Sequence, residues 1–117
     1  MPRSIIDAVQ GTLDFLILKA LSWDDMHGYA IARWIQETSE DELQIEEGTL
    51  YPALHRMEDR GWIEAAWGLS ENNRRAKYYR LTVAGRRELR ERTANWERYA
   101  RAVSLILQAK PAGGASA

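Results

Sequence analysis

Cysteine is absent from the 117 residues, which excludes disulfides, thiolate zinc sites, iron–sulfur clusters and a cysteine nucleophile together. A long apolar run is missing too. The most apolar stretch, residues 13–21, already contains Asp14 and Lys19, whereas a membrane-spanning helix needs about 20 apolar residues. Residues 1–14 lack the uncharged core and small-residue cleavage site of a secretory signal, so the expected location is the cytoplasm. No Gly-rich phosphate loop, paired catalytic carboxylates or nucleophile with its base stands out, so neither an enzyme nor a cofactor is expected. What remains, with 45% hydrophobic and 28% charged residues, is the composition of one folded globular domain.

The formal net charge of −1 hides a polarity. Residues 1–54 hold three basic and ten acidic side chains; residues 55–117 hold thirteen basic and seven acidic. A basic half in a neutral chain is expected where one face meets a polyanion.

Hydrophobic spacing orders the elements. Val9, Leu13, Leu16, Ile17, Ala20 and Leu21 recur at steps of three and four, one face of a helix. A second helix follows Gly28, with Tyr29, Ile31, Ala32 and Ile35 as core candidates, and residues 43–45 suit a short strand. A third helix is predicted over residues 48–60, with Pro52 in its first turn and Gly61 as a left-handed cap. Leu50, Leu54 and Met57 form its buried stripe, while Thr49, Pro52, Ala53 and Arg56 face outward, flanked by Tyr51 and His55. Residues 62–67 and 76–81 are aromatic and roughly alternating, as in two strands, and the polar link between them makes a hairpin with Arg74 and Arg75 near its tip. Thr82 then caps a long helix predicted over residues 83–109. Its stripe of Leu89, Trp96, Tyr99, Ala100, Val103, Ile106 and Leu107 needs a partner outside the domain, most simply a second copy of the chain.

The expected fold is therefore mainly α with a small β-hairpin. It comprises a winged helix-turn-helix over residues 1–82, a C-terminal dimerisation helix over 83–109 and a flexible tail over 110–117. In such a fold the third helix enters the DNA major groove and the hairpin straddles phosphate. Arg56 is suited to guanine, Thr49 to a hydroxyl or methyl contact, and Tyr51 to donating to phosphate. Arg74, Arg75 and Lys77 are suited to phosphate alone. His55 and Glu58 are too few for a metal site. Glu88, Glu91 and Glu97, interspersed with arginines, point to ion pairs on the long helix and away from a membrane-surface helix.

Four blocks carry a family resemblance: GTLDFLILKAL from Gly11, HGYAI from His27, EGTLYPALHR from Glu47 and RAKYYRLT from Arg75. Over residues 11–108 the chain resembles short PadR-family transcriptional regulators. That resemblance implies a homodimer that represses from a palindromic operator, relieved in many members by a small ligand. It places Thr49, Tyr51, Pro52, His55 and Arg56 on the recognition helix and Arg74, Arg75, Lys77 and Tyr79 on the wing. It also places Trp96 where two indoles could sandwich a flat aromatic or hydrophobic inducer. Two rival readings stand beside it. One is a winged-helix module that binds protein and no DNA. The other, an RNA-binding winged helix, would want exposed aromatics, whereas the Tyr and Trp residues fall mostly at positions that fit a core.

Overall fold

The computed structural model describes residues 11–112. The elements run α1 (Thr12–Leu21), β1 (Met26–His27), α2 (Gly28–Thr38), α3 (Glu47–Asp59), β2 (Ile63–Leu69), β3 (Arg75–Leu81) and α4 (Val83–Gln108). Val9, expected on the first helix, lies outside the described residues. The strands form one antiparallel sheet in the order β1-β3-β2. Among the described residues no helix is long and apolar enough to cross a membrane.

The core lies where α1, α2 and α3 meet the sheet. Ile17, Leu18, Ile31, Leu50, Leu54, Met57 and Ile63 are fully buried there. Burying one such side chain contributes about 1.5–3 kcal/mol, which is what sets α3 firmly against α1 and α2. The end of α3 is a Schellman turn. Gly61 is left-handed at φ 77°, its N–H donates to the Glu58 carbonyl, and the Trp62 N–H reaches back to Met57. The end of α2 uses the same pattern with Glu40 in the left-handed place at φ 54°. There the Glu40 and Asp41 N–H groups donate to Glu37 and Gln36.

Four expectations need correction. The short strand is not at residues 43–45 but at Met26–His27, which pairs with Tyr79 and Tyr78 on the open edge of β3. Leu43 and Ile45 instead pack against the core from an irregular segment. Pro52 is not in the first turn, because α3 begins at Glu47. The N–H that proline lacks would have met the Gly48 carbonyl, and Gly48 is exposed with open space about it, so water can serve that oxygen. Ala53, expected outside, is fully buried beside Leu50 and Leu54.

Leu89, expected on the stripe that meets a second copy, packs against its own domain's core. Here α4 leaves the domain through a tight junction. Thr82 caps it by accepting from the Gly85 N–H at 3.0 Å and donates to the Gly61 carbonyl. A Cβ on Gly85 would lie 2.0 Å from the Trp62 carbonyl oxygen, so only glycine fits. Beyond this anchor α4 passes along α1, and its far end runs into solvent. Ile106 and Leu107, at 75% and 78% exposed, have little to bury against in their own chain.

Candidate nucleic-acid interface

Burial of Leu50, Ala53, Leu54 and Met57 fixes the rotation of α3. It leaves Thr49, Tyr51, Pro52, His55 and Arg56 exposed, with Tyr51 and His55 on the flank toward the hairpin and Arg56 on the flank toward α1. The first flank borders a groove of about 700 Å³ whose other wall is the β2–β3 hairpin. Tyr51 and His55 line it from α3, His27 from β1, Gly28 from the start of α2, and Arg74, Arg75 and Lys77 from the hairpin. The third helix and the wing thus share one concave surface.

Local contacts set each side chain. Tyr51 lies across the first residue of α2, where a Cβ on Gly28 would come within 2.7 Å of the Tyr51 hydroxyl. His27 caps α2 by accepting the Ala30 N–H at its Nδ1, 3.2 Å away. That leaves Nε2, 3.9 Å from Glu71 on the hairpin turn, to carry the ring proton. The hairpin is held by Tyr78, whose hydroxyl donates to the Leu69 carbonyl at 2.9 Å. Its turn closes through Ser70, bonded to both Asn73 and Arg74, with Asn73 left-handed at φ 60°. Such a locked turn keeps Arg74 at the tip without help from the core.

The cations are not equivalent. Arg75 stacks over the exposed Trp67 ring at 4.4 Å, which pre-orders its planar guanidinium. Lys77 approaches Glu58 of α3 at 3.4 Å, so part of its charge is already answered within the fold. Arg56 Nη2 stands 3.5 Å from Asp14 of α1, not beside Glu58 or Asp59. Tyr79, placed on the wing by the resemblance, shares the inward face of β3 with Leu81 and is 5% exposed. Its ring belongs to the core, and only its rim reaches the groove. Burial raises the Tyr79 phenol above its ordinary value, partly offset by Lys77.

The aromatic residues depart furthest from expectation. Trp23, Tyr29, Tyr51, Trp67, Trp96 and Tyr99 are all exposed. The sequence does not mark Trp67 as exposed, because alternation in a two-stranded wing does not say which face has a core beneath it. Asp14, which in the sequence interrupts an apolar run, is buried. On α4, Trp96 and Tyr99 have ring centroids 6.0 Å apart and, with Phe15 and Arg92, line a cleft of about 340 Å³ against α1.

This geometry agrees with what known proteins show. Residues 17–91 match the family model described as the transcriptional regulator PadR-like family. The chain belongs to the PadR-like family of transcriptional regulators. A transcriptional regulator of Mycobacterium tuberculosis is 35% identical over 88 residues, covering 74% of this chain and 78% of the relative. A transcriptional regulator from Clostridium thermocellum superposes with a TM-score of 0.78 at 30% identity, covering 87% of this chain and 99% of that one. A PadR family regulator from Clostridium difficile gives 0.74 at 34% identity, covering 83% and 99%. The winged helix and long final helix of this chain are thus those of PadR-family structures, and its role is transcriptional regulation.

Proposed function

We propose that this PadR-family regulator is a sequence-specific repressor that binds a palindromic operator as a homodimer, in the cytoplasm and without catalytic activity. The observation that carries the reading is the shared concave surface. Tyr51 and His55 of α3 and a hairpin bearing Arg74, Arg75 and Lys77 line one groove, with Arg56 exposed on the adjoining flank of α3, the pairing that lets one element read bases while the other tracks phosphate. The stripe of Trp96, Tyr99, Ala100, Val103, Ile106 and Leu107 on α4 supports pairing with a second copy, because a helix bearing apolar residues this exposed gains by covering them. Pairing two copies would also bring two α1–α4 clefts and two Trp96 rings near one another. A small flat aromatic or hydrophobic inducer fits that chemistry.

Binding titrations over a salt series test the reading. Arg56→Ala costs about 1–3 kcal/mol on the specific site and relaxes preference at one base pair. Lys77→Ala weakens all duplexes alike and lowers the slope of log K against log salt by about 0.9. A loss confined to the operator would contradict the phosphate role of Lys77. Trp96→Ala abolishes the response to a planar aromatic inducer in an intact dimer; an unchanged response removes the stacking site. Because Tyr29, Tyr51 and Trp67 are exposed around the groove, single-stranded RNA belongs in the competition. It displaces the duplex only if the rings, and not the α3 face, carry binding.

A further inference from the structure

Among the described residues Asp14 is the one buried charged residue, at 7% exposed. Carboxylates are rarely buried to this degree unless paired, and the partners here are two arginines of α3. Oδ1 stands 3.5 Å from Arg56 Nη2 and Oδ2 stands 3.9 Å from Arg60 Nη1. These arginines are one helical turn apart, where like charges repel, and the carboxylate sits between them. They differ in what else holds them. Arg60 also lies over the Trp62 ring at 5.2 Å. Arg56 has, among the described residues, no ion-pair partner but Asp14, and about half of its side chain remains exposed on the outer face of α3.

We propose that Asp14 is a positioning residue for base recognition by Arg56, an inference that rests on α3 being the DNA-reading helix. A bidentate contact to guanine needs the guanidinium plane in one orientation. A long side chain free in solvent must surrender its rotamer freedom to provide it. Asp14 draws one terminal nitrogen of the fork, Nη2, toward the seam between α1 and α3, which narrows the rotamers of Arg56 before DNA arrives. Phosphate contacts tolerate many orientations and gain little from this anchoring. Asp14 therefore serves discrimination between sequences. It opposes general affinity, since its negative charge lies beneath a surface that meets a polyanion. The two effects have opposite signs, which separates positioning from mere support of the fold. Asp14 also sits in the first turn of α1, where a carboxylate suits the helix dipole, but that role does not involve Arg56.

The experiment is a double-mutant cycle on the full chain, comparing a duplex selected from a random library with a scrambled duplex of equal length. Asp14→Asn is expected to lower the preference for the selected duplex by about tenfold, while affinity for the scrambled duplex holds or rises. In an Arg56→Ala background the same change adds no further loss, and Arg60→Ala leaves the preference intact. A parallel fall on both duplexes, or a loss of equal size with Arg56 already removed, overturns the proposal. Should Asp14→Asn melt the fold, Asp14→Glu shifts the carboxylate by one methylene, and the same selective loss is expected of it. If the wild-type chain prefers neither duplex, the reading of α3 fails and this inference goes with it.

Discussion

Gly85 and Gly48 both sit in helices, and the same substitution should move stability in opposite directions at the two positions. At Gly85 an added Cβ would lie 2.0 Å from the Trp62 carbonyl oxygen and 3.2 Å from Leu81 Cδ2. Ordinary carbon–oxygen contact begins near about 3.3 Å, so α4 must retreat by about an ångström. That carbonyl accepts the Thr82 N–H at 3.1 Å, and Thr82 also bonds Gly61, so retreat strains two hydrogen bonds. Overpacking costs about 1–3 kcal/mol and each weakened bond about 0.5–1.5. The better helix propensity of alanine returns about 1. The expected net loss for Gly85→Ala is about 1–5 kcal/mol, a fall in Tm of order 5–25 °C for a domain of this size. Gly48 has nothing within 4 Å of the same ideal Cβ, so Gly48→Ala should gain about 0.5–1 kcal/mol. Chemical denaturation followed by far-UV circular dichroism, at one fixed protein concentration, reads both. Stability within about 0.5 kcal/mol of wild type for Gly85→Ala would refute the close-approach argument, since that is the ordinary range for surface changes.

Three further outcomes are expected. Glu40→Gly should stabilise by about 0.5–1 kcal/mol in the same assay, because a left-handed non-glycine residue at φ 54° is replaced by one that adopts it freely. Tyr79→Phe should flatten the alkaline limb of stability. The folded phenol holds its proton above the ordinary value of 10.0, so its contribution is present below that pH and is lost as pH rises through the raised value. An unaltered limb would show that Tyr79 is not the group responsible. Gly28→Ala should displace the Tyr51 ring, 2.7 Å from the added carbon at its hydroxyl. DNA affinity would then fall by about 1 kcal/mol with a smaller change in unfolding; unchanged affinity would remove Tyr51 from the contact set.

What could be read in the sequence was local. Helical period, the Gly61 turn and the Thr82 cap each depend on neighbours within a few residues, and each is found where expected. The wing was legible for the same reason, as two alternating runs joined by a polar turn. What escaped depends on contacts distant in the chain. β1 is two residues long and exists because β3 offers it an edge. Asp14 looks like an ordinary helix carboxylate until α3 brings two arginines to it. Gly85 reads as a helix flaw until Trp62 arrives beside it. The resemblance places Tyr79 on the wing, but the inward side of β3 belongs to the core. Within the candidate site, the residue types on α3 and at the hairpin tip were apparent from sequence, while their pairing and stacking partners were not.

The central claim is that α3 and the wing together read duplex DNA. Selection of duplexes from a random library by the purified chain, at two salt concentrations, tests it most directly. An enriched inverted repeat with half-sites about one helical turn (~10 bp) apart, held more weakly at the higher salt, is the result expected. No retention of duplex at low salt would contradict the account and favour a winged helix that binds protein.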